Sequence, residues 1–218
     1  MHKLNSAILA LALATGVAAA APGTDEVTRY FRSVQMDDAK TVRRMLAEGQ
    51  VDPNQPDPRS GEPALIVALR EGASNVATAL IAAPGINLEA TAPNGNTALM
   101  MAAYKRNRPV LDALIAKGAR VNRPGYTALH FAAAAGDDDI TAVLLAKGAA
   151  IDARATAGYT PLMLAAREGQ ESTVAVLLGA GAKVALVNSE GLTAEAIAAR
   201  AEKPRIAAAI HAQAAAEK

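Results

Sequence analysis

Cysteine and tryptophan are absent from this 218-residue chain, and its aromatic residues are two Phe and four Tyr. Without Cys there is no disulfide framework, no thiolate metal site and no Cys nucleophile. Without Trp and with few other aromatics, the side chains that usually supply much of the buried area of a large core are missing. Histidine is scarce as well, at three residues, so a His-rich metal or catalytic centre has little to be built from. An excess of one charge is also lacking. The chain carries 22 basic and 21 acidic residues, a formal charge of +1, which provides no field to concentrate nucleic acid or anionic lipid.

What is present is alanine. The hydrophobic class makes up 51% of the chain, yet mean hydropathy is only +0.14, because 55 residues are Ala. Small apolar side chains suit thin helical layers whose backbones approach closely. The N-terminus has the layout of a secretory signal peptide over residues 1–20: a basic start at Lys3, an apolar run from Leu4 to Val17, and Ala18-Ala19-Ala20 as a small-residue cleavage site before Ala21-Pro22. Asn5, Ser6, Thr15 and Gly16 interrupt the run, so it is too polar for a membrane span of about 20 apolar residues. Export to a periplasm is therefore expected, with no membrane anchor after cleavage. Residues 21–23 would form a short linker.

The remainder repeats one unit. Gly95-Asn96-Thr97-Ala98-Leu99, Gly125-Tyr126-Thr127-Ala128-Leu129 and Gly158-Tyr159-Thr160-Pro161-Leu162 share a pattern, which Gly61-Glu62-Pro63-Ala64-Leu65 and Gly191-Leu192-Thr193-Ala194 continue. The leading glycines are spaced by 34, 30, 33 and 33 residues, a period that marks a solenoid. Within a unit, Thr160 can cap a helix and Pro161 suits its first position. Leu162, Ala165 and Ala166 fall on one helix face, Gly169 ends the helix, and Thr173, Val174, Leu177 and Leu178 form the stripe of a second one. Helices of about ten residues are marginal alone. They require neighbours, and Ala102-Ala103, Ala132-Ala133 and Ala165-Ala166 stand where stacked helices must touch.

These residues resemble the ankyrin repeat, marked by Thr-Pro-Leu-His-x-Ala. Thr160-Pro161-Leu162-Met163-Leu164-Ala165 and Thr127-Ala128-Leu129-His130-Phe131-Ala132 each differ from it at one position. The resemblance implies an all-α solenoid of about six helix-turn-helix units with short β-hairpin-like fingers, at residues 24–57, 58–91, 92–121, 122–154, 155–187 and 188–218. The first unit lacks the Gly-x-Thr-x-Leu entry, and the last has Glu195 where others have Leu. Both are expected to cap the stack with polar outer faces. The unit at 92–121 has Arg106 in place of Gly72, Gly136 and Gly169, which leaves its inter-helix turn undefined. Its connection Val121-Asn122-Arg123-Pro124 is short, which predicts a truncated finger and a change in the groove.

Few residues suggest chemistry. His130 has the family's structural His position, and no nucleophile at a suitable spacing completes a triad with it. Asp137-Asp138-Asp139 is expected to cap the helix beginning at Ile140 rather than to hold a metal. Lys105, Arg106 and Arg108 read as a solvated helix end, and Met36, Met100, Met101 and Met163 as core filling. No phosphate-binding or dinucleotide loop is present, so neither a cofactor nor an enzymatic activity is expected. The resemblance instead implies protein binding on a concave face. It selects Arg59, Glu62, Arg70, Glu71, Asn94, Asn96, Tyr104, Lys105, Arg123, Tyr126, Tyr159, Arg167 and Glu168 as partner-binding residues. Tyr and Arg are the types most enriched among interface hot spots. Tyr126 and Tyr159 have a second reading, as cover for the Gly-x-Thr turns of neighbouring units. A monomer that binds one protein partner is expected. An inhibitor or immunity-type protein acting on an exported toxin or enzyme, or an accessory protein in peroxide defence, are the alternatives.

Overall fold

The computed structural model describes residues 23–216; the expected signal peptide lies outside them. Twelve α-helices follow one another among the described residues: α1 (Thr24–Gln35), α2 (Ala39–Ala47), α3 (Ala64–Glu71), α4 (Ser74–Ala82), α5 (Ala98–Tyr104), α6 (Arg108–Ala116), α7 (Ala128–Ala135), α8 (Asp138–Ala146), α9 (Pro161–Glu168), α10 (Glu171–Gly179), α11 (Ala194–Arg200) and α12 (Pro204–Ala216). No helix among the described residues is long and apolar enough to cross a membrane. Consecutive helices pair, and the odd-numbered helices stack on one another in sequence order. The result is a two-layer solenoid of helix pairs.

Local chemistry explains each pair. Thr97 and Thr160 cap α5 and α9, accepting bonds from the N–H groups of Met100 and Met163. Asp38, Asn107 and Asp137 do the same for α2, α6 and α8. Asp137 thus caps as expected, but the helix starts at Asp138 rather than Ile140. Between paired helices the chain turns through a left-handed residue. Gly72, Gly136 and Gly169 take φ of 77°, 72° and 80° there, and Arg106 adopts the same turn at 54°. Asp37 at 56° is the equivalent in the first unit. A non-glycine residue in this region costs about 1–2 kcal/mol. Both residues recover part of that by tying their unit to the next one. The Asp37 carboxylate accepts from Val76 N–H and the Asn75 amide, each at 2.8 Å, and the Arg106 guanidinium donates to the Ala135 carbonyl at the end of α7.

Packing has the expected alanine seam. Ala102, Ala103, Ala132, Ala133, Ala165 and Ala166 are all fully buried, beside Leu99, Leu129 and Leu162. Polar bonds between units run alongside: Asn54 to Gly85 and Asn87, Asn122 to Gly148 and Ala150, and Ser172 and Thr173 to Asp138. In the first unit Tyr30 and Phe31 pack edge to face at 5.1 Å inside the core. Burial pushes the Tyr30 phenol well above its ordinary pKa, with the Asp52 charge adding to the effect. At the other end Ile197, Ile206 and Ile210 are buried. Glu195 bonds His211 at 3.1 Å instead of entering a next unit.

Three expectations need correction or refinement. Met36 is not core filling: α1 ends at Gln35, so Met36 falls beyond the last turn and is 74% exposed. Met101 is only partly buried, at the margin of the core. The fingers are not hairpins with strands. They reduce to isolated bridges, Pro56 with Pro63 and Thr91 with Thr97, closed by bonds such as Ala92 N–H to the Asn96 carbonyl at 2.9 Å. Helices α5 and α7 make the most extensive inter-unit contact, whereas α6 and α8 barely touch.

Candidate functional site

The ends of α5, α7 and α9 and the turns before them form the site. Capping chemistry sets its floor. The Thr127 N–H donates to His130 Nδ1 at 3.1 Å, so the ring proton sits on Nε2, which donates to the Tyr159 carbonyl at 3.1 Å. His130 thereby closes its own helix start and ties α7 to the following unit. In the neighbouring units a methionine sulfur takes the place of Nδ1: Thr97 N–H reaches Met100 Sδ at 3.4 Å and Thr160 N–H reaches Met163 Sδ at 3.5 Å. Those two methionines are buried, so they fill the core and accept a bond as well.

Burial holds the His130 imidazole below its ordinary pKa of 6.5, partly offset by backbone bonds to Tyr159 and Ala153. The unfolded chain then binds a proton in a pH range where the folded chain does not. Stability from this group is therefore full above about pH 6.5 and is lost as pH falls through the folded-state pKa. His130→Met, which copies the neighbouring units, should flatten that slope. Thermal melts of both proteins at about pH 7.5 and about pH 5 check it: the loss of melting temperature on acidification should be smaller in the variant. An equal loss would assign the slope elsewhere.

Above this floor three aromatic rings converge from two units. Tyr126 meets His130 at 5.5 Å and Phe131 at 5.9 Å between centroids, and Tyr104 meets Phe131 edge-on at 6.2 Å with an interplanar angle of 85°. With Arg106, Ala134, Ala135, Leu164, Arg167 and Glu168 they line a groove of about 560 Å³. Tyr104 is 54% and Tyr126 36% exposed. The sequence indicates Tyr104, Tyr126, Arg167 and Glu168 but not Phe131 or the lining role of Arg106. Phe131 is one of only two Phe, and that rarity was the available signal. The truncated finger expected before Tyr126 is present: no bridge and no closing backbone bond forms there among the described residues. Arg123, within that finger, donates to the Gly95 carbonyl at 3.1 Å.

The other indicated residues lie around the groove or away from it. Tyr159 is half-buried against the core, under the Arg167 guanidinium at 5.4 Å, and borders a second cleft with Glu190, Leu192 and Arg200. Lys105 is exposed directly after Tyr104. Asn94 and Asn96 shape their own turn, with Asn96 N–H donating to Asn94 Oδ1 at 3.0 Å. Glu62, Arg70 and Glu71 form one ion-paired cluster. Arg59 stands by Asp57 at 3.6 Å in a separate cleft against α1. A family model described as ankyrin repeats (3 copies) matches residues 30–125, 83–155 and 120–188. No curated protein matches the chain.

Proposed function

Because the chain belongs to the ankyrin repeat family, a family of protein–protein interaction modules, we propose that it captures one partner protein in the periplasm as a non-catalytic binder. The face used is the one formed by the ends of α5, α7 and α9. The carrying observation is the groove in which Tyr104 and Tyr126 stay exposed while the rest of the aromatic cluster is held from below. Rings fixed by edge-on contacts and by a His-capped turn lose little freedom on association, which favours binding. The signal-peptide layout of residues 1–20 supports export. Both His130 nitrogens are engaged by Thr127 and Tyr159, so this imidazole is not poised as a general base, in keeping with a binding role.

Affinity capture from periplasmic extract, with wild-type and Tyr104→Ala baits compared, tests the reading. Tyr104 is more than half exposed, so its truncation should leave stability within about 0.5 kcal/mol. Capture should fall by about tenfold or more, as for an interface anchor. An unchanged prey at unchanged yield would rule this face out.

A further inference from the structure

The charges around the groove indicate what it accepts. Elsewhere on this face cations and carboxylates neutralise one another: Arg59 with Asp57, Arg70 with Glu62 and Glu71, and Arg200 with Glu190 at 3.0 Å. Within the groove the Glu168 carboxylate is likewise taken by Arg167 at 2.9 Å. Lys105, Arg106 and Arg123 have no carboxylate at ion-pair distance among the described residues. Arg106 and Arg123 instead each donate to a backbone carbonyl, of Ala135 and Gly95 respectively. A guanidinium has five N–H donors, so those bonds hold it in place and leave further donors for an anion. In a chain of formal charge +1, an uncompensated Arg106 thus lines this aromatic groove, and Lys105 and Arg123 stand one and three residues along the chain from its lining tyrosines Tyr104 and Tyr126. Its apolar lining includes Phe131, Ala134, Ala135 and the buried Leu164.

We infer that the groove binds an extended acidic segment of a partner protein, with a Phe or Leu side chain seated against Tyr104, Tyr126 and Phe131 and flanking carboxylates paired with Lys105, Arg106 and Arg123. This rests on the reading of this face as the partner-binding surface. A groove of about 560 Å³ is of the size that takes a small ligand or one large side chain with its neighbours. Arginine suits the carboxylates because its planar fork pairs with them bidentately. Single-stranded nucleic acid fits less well. Its bases need open ring faces for stacking, whereas Tyr104 and Phe131 meet edge-on at 85°.

Fluorescence anisotropy with short labelled peptides tests the inference. The probes are a Phe flanked by Glu and Asp, the same peptide with Ala for Phe, a Phe flanked by Lys, and a labelled oligothymidine. The acidic Phe peptide should bind at least about tenfold more tightly than each of the others and should weaken as salt is raised. Lys105→Glu combined with Arg106→Gly should reduce its affinity by about tenfold or more. Glycine accepts the left-handed turn at position 106, so the fold should persist, and a thermal melt verifies that. The salt dependence of the wild type provides an independent measurement that needs no variant. Equal binding of the basic peptide, tighter binding of the oligonucleotide, or no loss in the folded double variant overturns the inference. Absence of peptide binding while Tyr104-dependent capture persists overturns the acidic segment alone. Loss of that Tyr104 dependence overturns the underlying reading as well.

Discussion

Truncating Leu129 to alanine is expected to lower the unfolding free energy by about 2–5 kcal/mol. The side chain is fully buried on α7, a helix that packs against both α5 and α9. The same buried cluster holds alanines of all three helices, among them Ala102, Ala132 and Ala165. They have no rotamers with which to fill a void, so the cavity term should survive in full. Stability in a solenoid is close to a sum over units and their interfaces. A lesion in the middle of the stack should therefore also weaken the coupling between its two halves. Denaturant unfolding followed by far-UV circular dichroism measures both effects: the midpoint should fall, and a shallower transition should report the loss of cooperativity. A loss smaller than about 1 kcal/mol would mean that the layer collapses around the deletion and that the alanine seam is not rigid.

Adding volume at the same interface should also destabilise the fold. Ala132→Leu is expected to cost about 1–3 kcal/mol, and more if α5 cannot move. Ala132 is fully buried at the contact between α5 and α7, the most extensive in the stack. Ala209→Leu on α12 is the control, since that position is exposed and leucine is nearly as good a helix former as alanine. A large drop in melting temperature for Ala132→Leu with little change for Ala209→Leu supports a seam that requires small residues. Similar behaviour of the two variants would reduce the alanine content to helix propensity.

The two substitutions separate what the repeat pattern reveals from what it conceals. The buried leucines and alanines were legible because each recurs at one position of a unit of nearly constant length. So were the threonine caps, whose partner is only three residues away. The role of His130 was legible in part. Its bond to Thr127 is local, but its bond to the Tyr159 carbonyl crosses into the next unit. Met100 and Met163 looked like plain core residues, and the sulfur that accepts a bond from the capping threonine was hidden by methionine's weak polarity. Arg106 was conspicuous as a departure from glycine, yet nothing local indicated that the turn would persist with its guanidinium on Ala135.

The sequence by itself determined the number of helix pairs, the face each one buries and the need for small residues between layers. These depend on interactions within about one helical turn and on a period that repeats them. Only the tertiary structure decided which surface is offered to a partner. Tyr104 and Phe131 belong to different units, and their contact at 6.2 Å depends on the distance between those units. So does the splay between α6 and α8. The spacing of stacked helices is a property of the pair and is encoded in neither unit alone.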